Sequence, residues 1–357
     1  MSTFVNTTNH TSFTTLLGKL LEALSPREQD VLRRRHALAK GSQRKETLEN
    51  IGKDYKVTRE RVRQIERDGV KKLKEKVNDA GVESELAKIE AAVRQFLKKY
   101  GGIMHEGHLM DQLTDYFGVS TAYADQEEVL QHKKALAFII AHLLANKFER
   151  LEETDHFHTT WKLKEAPWEL VEDVIEQLLQ LINREGKPLT ADELFSLMKK
   201  QEAYGHLQGR FTKMQATTNG LADLDEAIMS YLQTSRRIKQ NLFGHIGLTG
   251  WNTISPKRMN DKIYLILKRA GKPLHFTDIA QLINEAKFDH KKALPATIHN
   301  ELILDDRYVL IGRGIYALRE WGYEPGTVAD VIATLLKERG PMTKDEIVTQ
   351  VTKQRLV

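Results

Sequence analysis

The sequence predicts a mainly α-helical protein: a helix-turn-helix head, then tandem units of three helices that each close with a β-hairpin. Three observations carry this expectation. The stretch TLENIGKDYKVTRERVRQIERDGVKKLK (Thr47–Lys74) reads as a short helix, a tight turn and a longer basic helix. A pattern close to Arg-x-Gly-Lys-Pro-Leu, with a helix before it and another after it, recurs at intervals too long for a solenoid repeat, as tandem domains of one fold would. The best-preserved copy ends in two β-rich runs, Tyr308–Ile311 and Ile315–Leu318, joined by Gly312-Arg313-Gly314.

Composition sets the frame. A chain of 357 residues is long enough for about two to four compact units. With 41% hydrophobic and 29% charged residues it is globular. It has no cysteine, which excludes disulfides and Cys-based zinc sites and fits a reducing cytoplasm, the expected location. The start, MSTFVNTTNHTSFTT, has neither the basic region nor the apolar core of a signal peptide, and residues 1–15 are expected to be disordered. The longest apolar run, Ala135–Ala145, is too short to span a bilayer and contains His142, so it predicts a buried helix and no membrane partner. Charge is uneven. Residues 1–80 carry eighteen Lys or Arg against eleven Asp or Glu, a balance of +7 in a chain whose total is +5. A basic module on a nearly neutral body points to a head that binds a polyanion.

The head is expected over residues 16–80. Ser25 and Glu28 form a capping box with Pro26 at the first helical position, which starts a helix through LSPREQDVLRRRHAL (Leu24–Leu38). A short amphipathic helix then turns Leu48 and Ile51 inward, and Gly52 allows a close helix approach. The next helix begins at Thr58. Its Val62, Ile65, Gly69 and Leu73 recur at steps of three and four and face the core. Arg59, Glu60, Arg63, Gln64 and Arg67 fall on the opposite face. Most charge-rich helices are simply solvated on one side. These side chains, however, are the types that read a major groove: Arg donates twice to guanine, Glu accepts from cytosine and Gln pairs with adenine.

The stretch Leu24–Lys76, through LSPREQDVLRRRHAL and VTRERVRQIE, resembles region four of the bacterial sigma-70 family, which reads the −35 promoter element. The resemblance implies that Arg59, Glu60 and Gln64 face −35 bases, with Arg63 nearby. Thr47, Arg61, Arg67, Lys71 and Lys72 are the phosphate candidates. The partners it implies are double-stranded DNA and the core RNA polymerase, docked through the β flap around Leu24–Leu38. Gly69 departs from the family, which usually has alanine there, and is expected to fray the helix beyond it. Nothing in the sequence resembles the family's −10-reading and melting region, so a protein that does not start transcription alone is expected.

Four units follow. A divergent copy is expected over 83–165, with a long helix from Glu83 stopped by Gly101-Gly102. A second covers 168–252, with Thr190 and Glu193 as a capping box after Gly186, and ends in SRRIKQNLFGHIGLTGW. The third covers 257–323. There Thr277 is expected to cap the second helix, and the third starts at Pro295 with Ile298, Leu302 and Ile303 on one inward face. Three helices and a hairpin make a winged helix. Residues 327–357 begin a further copy that stops at QRLV before a third helix, as in a truncated chain. The segment Met259–Tyr323 resembles the HARE-HTH domain, found in the delta subunit of some bacterial RNA polymerases, which implies binding to DNA or to protein. As a possible second DNA contact, Thr297, His299 and Asn300 lie on the presented helix face and Arg313 at the wing tip.

Other chemistry is sparse. His105, His108, His132, His142, His156 and His158 cluster in the first copy, but without a partner motif they point to capping and packing rather than to a metal. No P-loop, nucleophile elbow, H-E-x-x-H or paired-carboxylate nuclease pattern occurs, so neither an enzyme nor a cofactor is expected. The leading expectation is a transcription protein that reads −35-like DNA. The alternatives are a polymerase-docking accessory subunit and a DNA-binding regulator that acts without polymerase.

Overall fold

The computed structural model describes residues 12–42, 44–77, 80–122, 125–220, 222–323 and 328–354. Most of the N-terminal stretch expected to be disordered, the Pro325-Gly326 break and the last three residues lie outside them. The fold is mainly helical, as predicted. The chain forms two compact units, one of residues 1–181 and 195–237 and the other of 182–194 and 238–357. This division cuts across the predicted repeats, so that the second repeat contributes to both units.

In the first unit the head consists of α1 (Phe13–Leu21), α2 (Pro26–Arg35), α3 (Leu48–Tyr55) and α4 (Arg59–Lys76). The predicted capping box starts α2: Ser25 Oγ accepts from Glu28 N at 3.4 Å, and Glu28 Oε2 accepts from Ser25 N at 2.9 Å. Val62, Ile65, Gly69 and Leu73 are the buried stripe of α4, as the periodicity predicts. The helix runs unbroken through Gly69 instead of fraying. The cause is packing: a Cβ on Gly69 would stand 3.3 Å from Leu32 Cδ1, so the missing side chain lets α2 lie close.

The head continues into the first repeat, formed by α5 (Ala80–Lys99), β1 (Ile103–His105), α6 (Glu106–Tyr116), α7 (Val119–Ala122), α8 (Gln126–Leu143), β2 (Phe148–Leu151) and β3 (Thr160–Leu163). The apolar run around Ala135–Ala145 is the buried core of α8, as predicted. The strands pair antiparallel in the order β1-β3-β2. α9 (Trp168–Glu185) and α10 (Ala191–Met198) pass between the units, and α11 (Glu202–Thr218) and α12 (Leu224–Thr234) complete the first. α12 packs on β1: Tyr231 Oη donates to Gly101 O at 2.6 Å and Ser230 Oγ to Ile103 O at 3.0 Å. Both hydroxyls are buried and satisfied, so the second repeat's helix is part of the first repeat's core.

The second unit holds β4 (Ile238–Gln240), β5 (Ile246–Leu248), α13 (Met259–Ala270), β6 (Leu274–His275), α14 (Phe276–Ala286), α15 (Pro295–Leu304), β7 (Tyr308–Gly312), β8 (Ile315–Leu318), α16 (Val328–Arg339) and α17 (Lys344–Gln354). Three helices and a hairpin follow in the order read from Met259 to Leu318. The Lys-Pro-Leu element has a further role. Leu189 bridges to Ile246, as β6 pairs with β8 and β1 with β3. In all three copies the residues after the turn form a third strand against the hairpin.

Two local expectations are corrected here. α14 is capped by His275, whose Nδ1 accepts from Thr277 N at 3.3 Å, and not by Thr277. A β-strand leads straight into the helix, which moves the cap two residues upstream. Ile303 does not share the inward face of Ile298 and Leu302 but is 61% exposed. It follows Leu302 by one residue, a rotation of roughly 100° around the helix. No helix among the described residues is long and apolar enough to cross a membrane.

Candidate nucleic-acid interface

The turn between α3 and α4 aims the presumptive reading face. Lys56 adopts the left-handed conformation (φ 52°) at the end of α3, and Val57 N donates to Gly52 O at 2.9 Å. A Cβ on Gly52 would stand 2.8 Å from the backbone oxygen of Val57, so only glycine fits there. Thr58 then caps α4, its Oγ1 accepting from Arg61 N at 3.2 Å. Arg34 braces the approach to the motif from behind. It donates to both carboxylate oxygens of Glu46, at 2.9 and 2.7 Å, and to Asp54. These bonds hold the Glu46 carboxyl below its ordinary range and raise the guanidinium further above its own.

On the outward face of α4, Arg59, Glu60 and Arg63 are exposed and Gln64 is half-buried. They are partly paired with their neighbours. Arg63 donates from Nε and Nη2 to Glu60 at 2.8 and 2.7 Å, and Arg61 Nη1 donates to Gln64 Oε1 at 3.1 Å. The bonds from Arg63 hold the Glu60 carboxyl below its ordinary range. An exposed pair of this kind adds little to stability, and its groups can be exchanged for base edges. Glu60→Gln should therefore leave the melting temperature of the protein unchanged in calorimetry while altering its ranking of duplexes that differ by single base pairs.

The phosphate candidates fall into different settings. Thr47 is the N-cap of α3, its Oγ1 accepting from Asn50 N at 3.2 Å, which leaves its hydroxyl proton free to donate. Lys71 is exposed and belongs to no ion pair among the described residues. Arg67 lies 3.5 Å from Asp68, and Arg61 is shared with Gln64. Lys72 is bound to Glu28 at 2.7 Å and ties α4 to the start of α2. Exposed Lys40, Arg44 and Lys45 precede Thr47 in the loop and extend the basic surface. Sequence periodicity missed them because they lie outside any helix; the charge balance of residues 1–80 is the signal that includes them.

A second feature is legible only in three dimensions. α8 packs behind the head. Gly41 N donates to Glu127 Oε1 at 3.3 Å, Lys134 Nζ to Ser42 O at 2.6 Å, and the Phe13 ring meets that of His132 at 6.1 Å. Deeper in the contact, His36 stacks edge-on with Phe138 and His142, at 4.9 and 4.8 Å. His36 Nε2 also lies 3.1 Å from Glu66 on the inner side of α4, and Arg35 Nε lies 3.2 Å from the same carboxylate. Burial raises the Glu66 carboxyl, but His36 and Arg35 outweigh it and hold the group below its ordinary range.

The second set of candidates lies in the other unit. Thr297 and Asn300 are exposed on α15, and Arg313 is exposed at the hairpin tip. His299 is half-buried, its ring 4.8 Å from that of Phe276 and 5.9 Å from that of Tyr316. Among the histidines of the first repeat, His105 caps α6, accepting from His108 N at 3.4 Å, and its ring lies 5.2 Å from that of His158. Among the described residues no three His, Asp or Glu side chains group as a metal site.

Comparison with known proteins finds relatives for the head. Residues 20–75 match the family model "Sigma-70, region 4". The RNA polymerase sigma factor SigA of Nostoc sp. is 55% identical over 58 residues, which are 16% of this chain and 14% of that protein. SigA of Lactococcus lactis subsp. cremoris is 46% identical over 70 residues, 20% of this chain and 19% of the relative. RNA polymerase sigma factor RpoD of Neisseria gonorrhoeae is 42% identical over 65 residues, 18% of this chain and 10% of its own length. The matched segment thus spans less than a fifth of each of these relatives. No solved structure matches the chain.

Proposed function

We propose that the protein is a non-catalytic, cytoplasmic transcription protein whose head reads −35-like promoter DNA and acts with RNA polymerase. The observation that carries this reading is the outward face of α4. Arg59, Glu60, Arg63 and Gln64 stand together beyond a helix-turn-helix turn that accepts only glycine at position 52, in the segment that matches sigma-70 region 4. Arg59, Glu60, Arg63 and Gln64 take the base-reading roles. Thr47, Arg61, Arg67 and Lys71 hold phosphates, and Lys72 joins them once it exchanges Glu28 for DNA.

Docking on the polymerase flap is the finer part of the proposal. The resemblance places it around Leu24–Leu38. His36, near the end of that segment, is in contact with α8, so a flap element has to use the more exposed start of α2, around Arg27.

The test is binding of the full chain to duplexes containing TTGACA or a scrambled hexamer across a salt series. Base reading gives a preference for the first, and log K falls with log salt by about 0.9 per phosphate contact. Arg59→Ala and Gln64→Ala should each relax the preference by ~1–3 kcal/mol, while Lys71→Ala weakens binding to both duplexes alike. Equal affinity of the unaltered protein for both duplexes overturns base reading. Failure to co-purify with core polymerase would leave a regulator that acts on DNA alone.

A further inference from the structure

Helix α15 occupies the position of the presented helix in the second unit, yet its outward face is poorly suited to DNA. Its only charged residue is Glu301; it has no Lys or Arg to meet a phosphate. The face opposite buried Ile298 and Leu302 is instead apolar at its C-terminal end, where Ile303 is 61% and Leu304 83% exposed. Leu294, just before the helix, is 54% exposed, and Leu310 on the neighbouring strand β7 is 46% exposed. Large aliphatic side chains concentrated on one element at such exposure mark an interaction surface rather than ordinary scatter.

The charge beside this surface selects the partner. The loop that leads into α15 carries exposed Lys287, Lys291 and Lys292, none of them in an ion pair among the described residues. The nearby Asp289 is already taken by Lys262, at 2.7 Å. An apolar stripe with an unneutralised basic flank complements a helix whose apolar face is bordered by carboxylates.

We propose that the outward face of α15 docks an acidic amphipathic helix of another protein. Ile303 and Leu304 bury against the partner's apolar stripe, and Lys291 and Lys292 meet its Asp or Glu side chains. This surface is separate from the head and does not depend on the head reading DNA.

The test uses the full chain and two labelled model helices of about eighteen residues, with the same leucines at helical spacing and either glutamates or lysines between them. The acidic helix should bind and the basic one should not. Ile303→Ser with Leu304→Ser, and Lys291→Glu with Lys292→Glu, should each weaken the acidic helix by at least about tenfold, the loss of one interface anchor. Circular dichroism confirms that both variants fold, and their affinity for duplex DNA should match that of the unaltered protein. Equal binding of the two helices, or binding of neither, overturns the proposal. So does a loss of duplex affinity in the lysine variant, which would make the surface a DNA contact. A dimer in sedimentation that Leu304→Ser dissociates also overturns it, by assigning the face to a second copy of the chain.

Discussion

Gly52→Ala should destabilise the first unit by about 3 kcal/mol and abolish duplex binding by the full chain. The new methyl would stand 2.8 Å from Val57 O, and a backbone oxygen in a tight turn cannot turn aside as a side-chain tip can. Relief requires the α3–α4 turn to open. That movement breaks the 2.9 Å bond from Val57 N to Gly52 O and swings the start of α4, where Arg59 and Glu60 sit. Gly69→Ala is the comparison. Its methyl meets only Leu32 Cδ1 at 3.3 Å, and the helix gains about 1 kcal/mol of propensity, so the two effects nearly cancel. Urea unfolding and duplex titration of the two variants check this. A Gly52→Ala protein as stable as the unaltered one would mean that the turn is not the rigid element that aims α4.

Acidification should unfold the contact between the head and α8. Burial pushes His142 down to about 4 from an ordinary value of 6.5, with His36 and Lys74 adding to the shift, Arg150 contributing slightly and Glu66 opposing it. The unfolded chain takes up this proton as the pH falls below about 6.5, whereas the folded chain holds the ring neutral until about 4. Stability is therefore complete above pH 6.5, falls through the window and levels off below it, with a loss of ~3 kcal/mol from this group alone by pH 4. His105, His108 and His132 are lowered by burial and act in the same direction. Glu66, held low, loses its stabilising effect only as the pH falls through its own depressed value. Unfolding free energies of the protein and of His142→Asn at several pH values measure the effect. The variant should show a shallower slope between pH 6.5 and 4, and an unchanged slope would remove His142 as the cause.

Some features of this protein are local and were legible in the residues. The Ser25–Glu28 capping box, the buried stripe of α4, the turn at Gly52 and the hairpin at Gly312-Arg313-Gly314 each follow from a few neighbouring side chains. The set Arg59, Glu60, Arg63 and Gln64 was legible for the same reason: helical spacing alone places it opposite the core. Close packing was harder to read. Gly69 suggested a weak helix because its propensity is visible in sequence, while the Leu32 side chain that fills its place is distant along the chain. Ile303 suggested a core residue because it adjoins Leu302, although one step along a helix turns a side chain away.

By itself, the sequence determined the head, its reading face and the recurrence of the Gly-Lys-Pro-Leu turn, since each depends on spacing within one or two helices. Only the tertiary structure decided what those parts touch. It put α8 behind the head, His142 beside His36 and Glu66, α12 onto the first repeat's sheet, and Ile303 and Leu304 in solvent. These pairings join residues tens to more than a hundred positions apart, or set the rotation of a helix about its axis. Both are fixed by how whole elements bury their apolar faces, which no local pattern records.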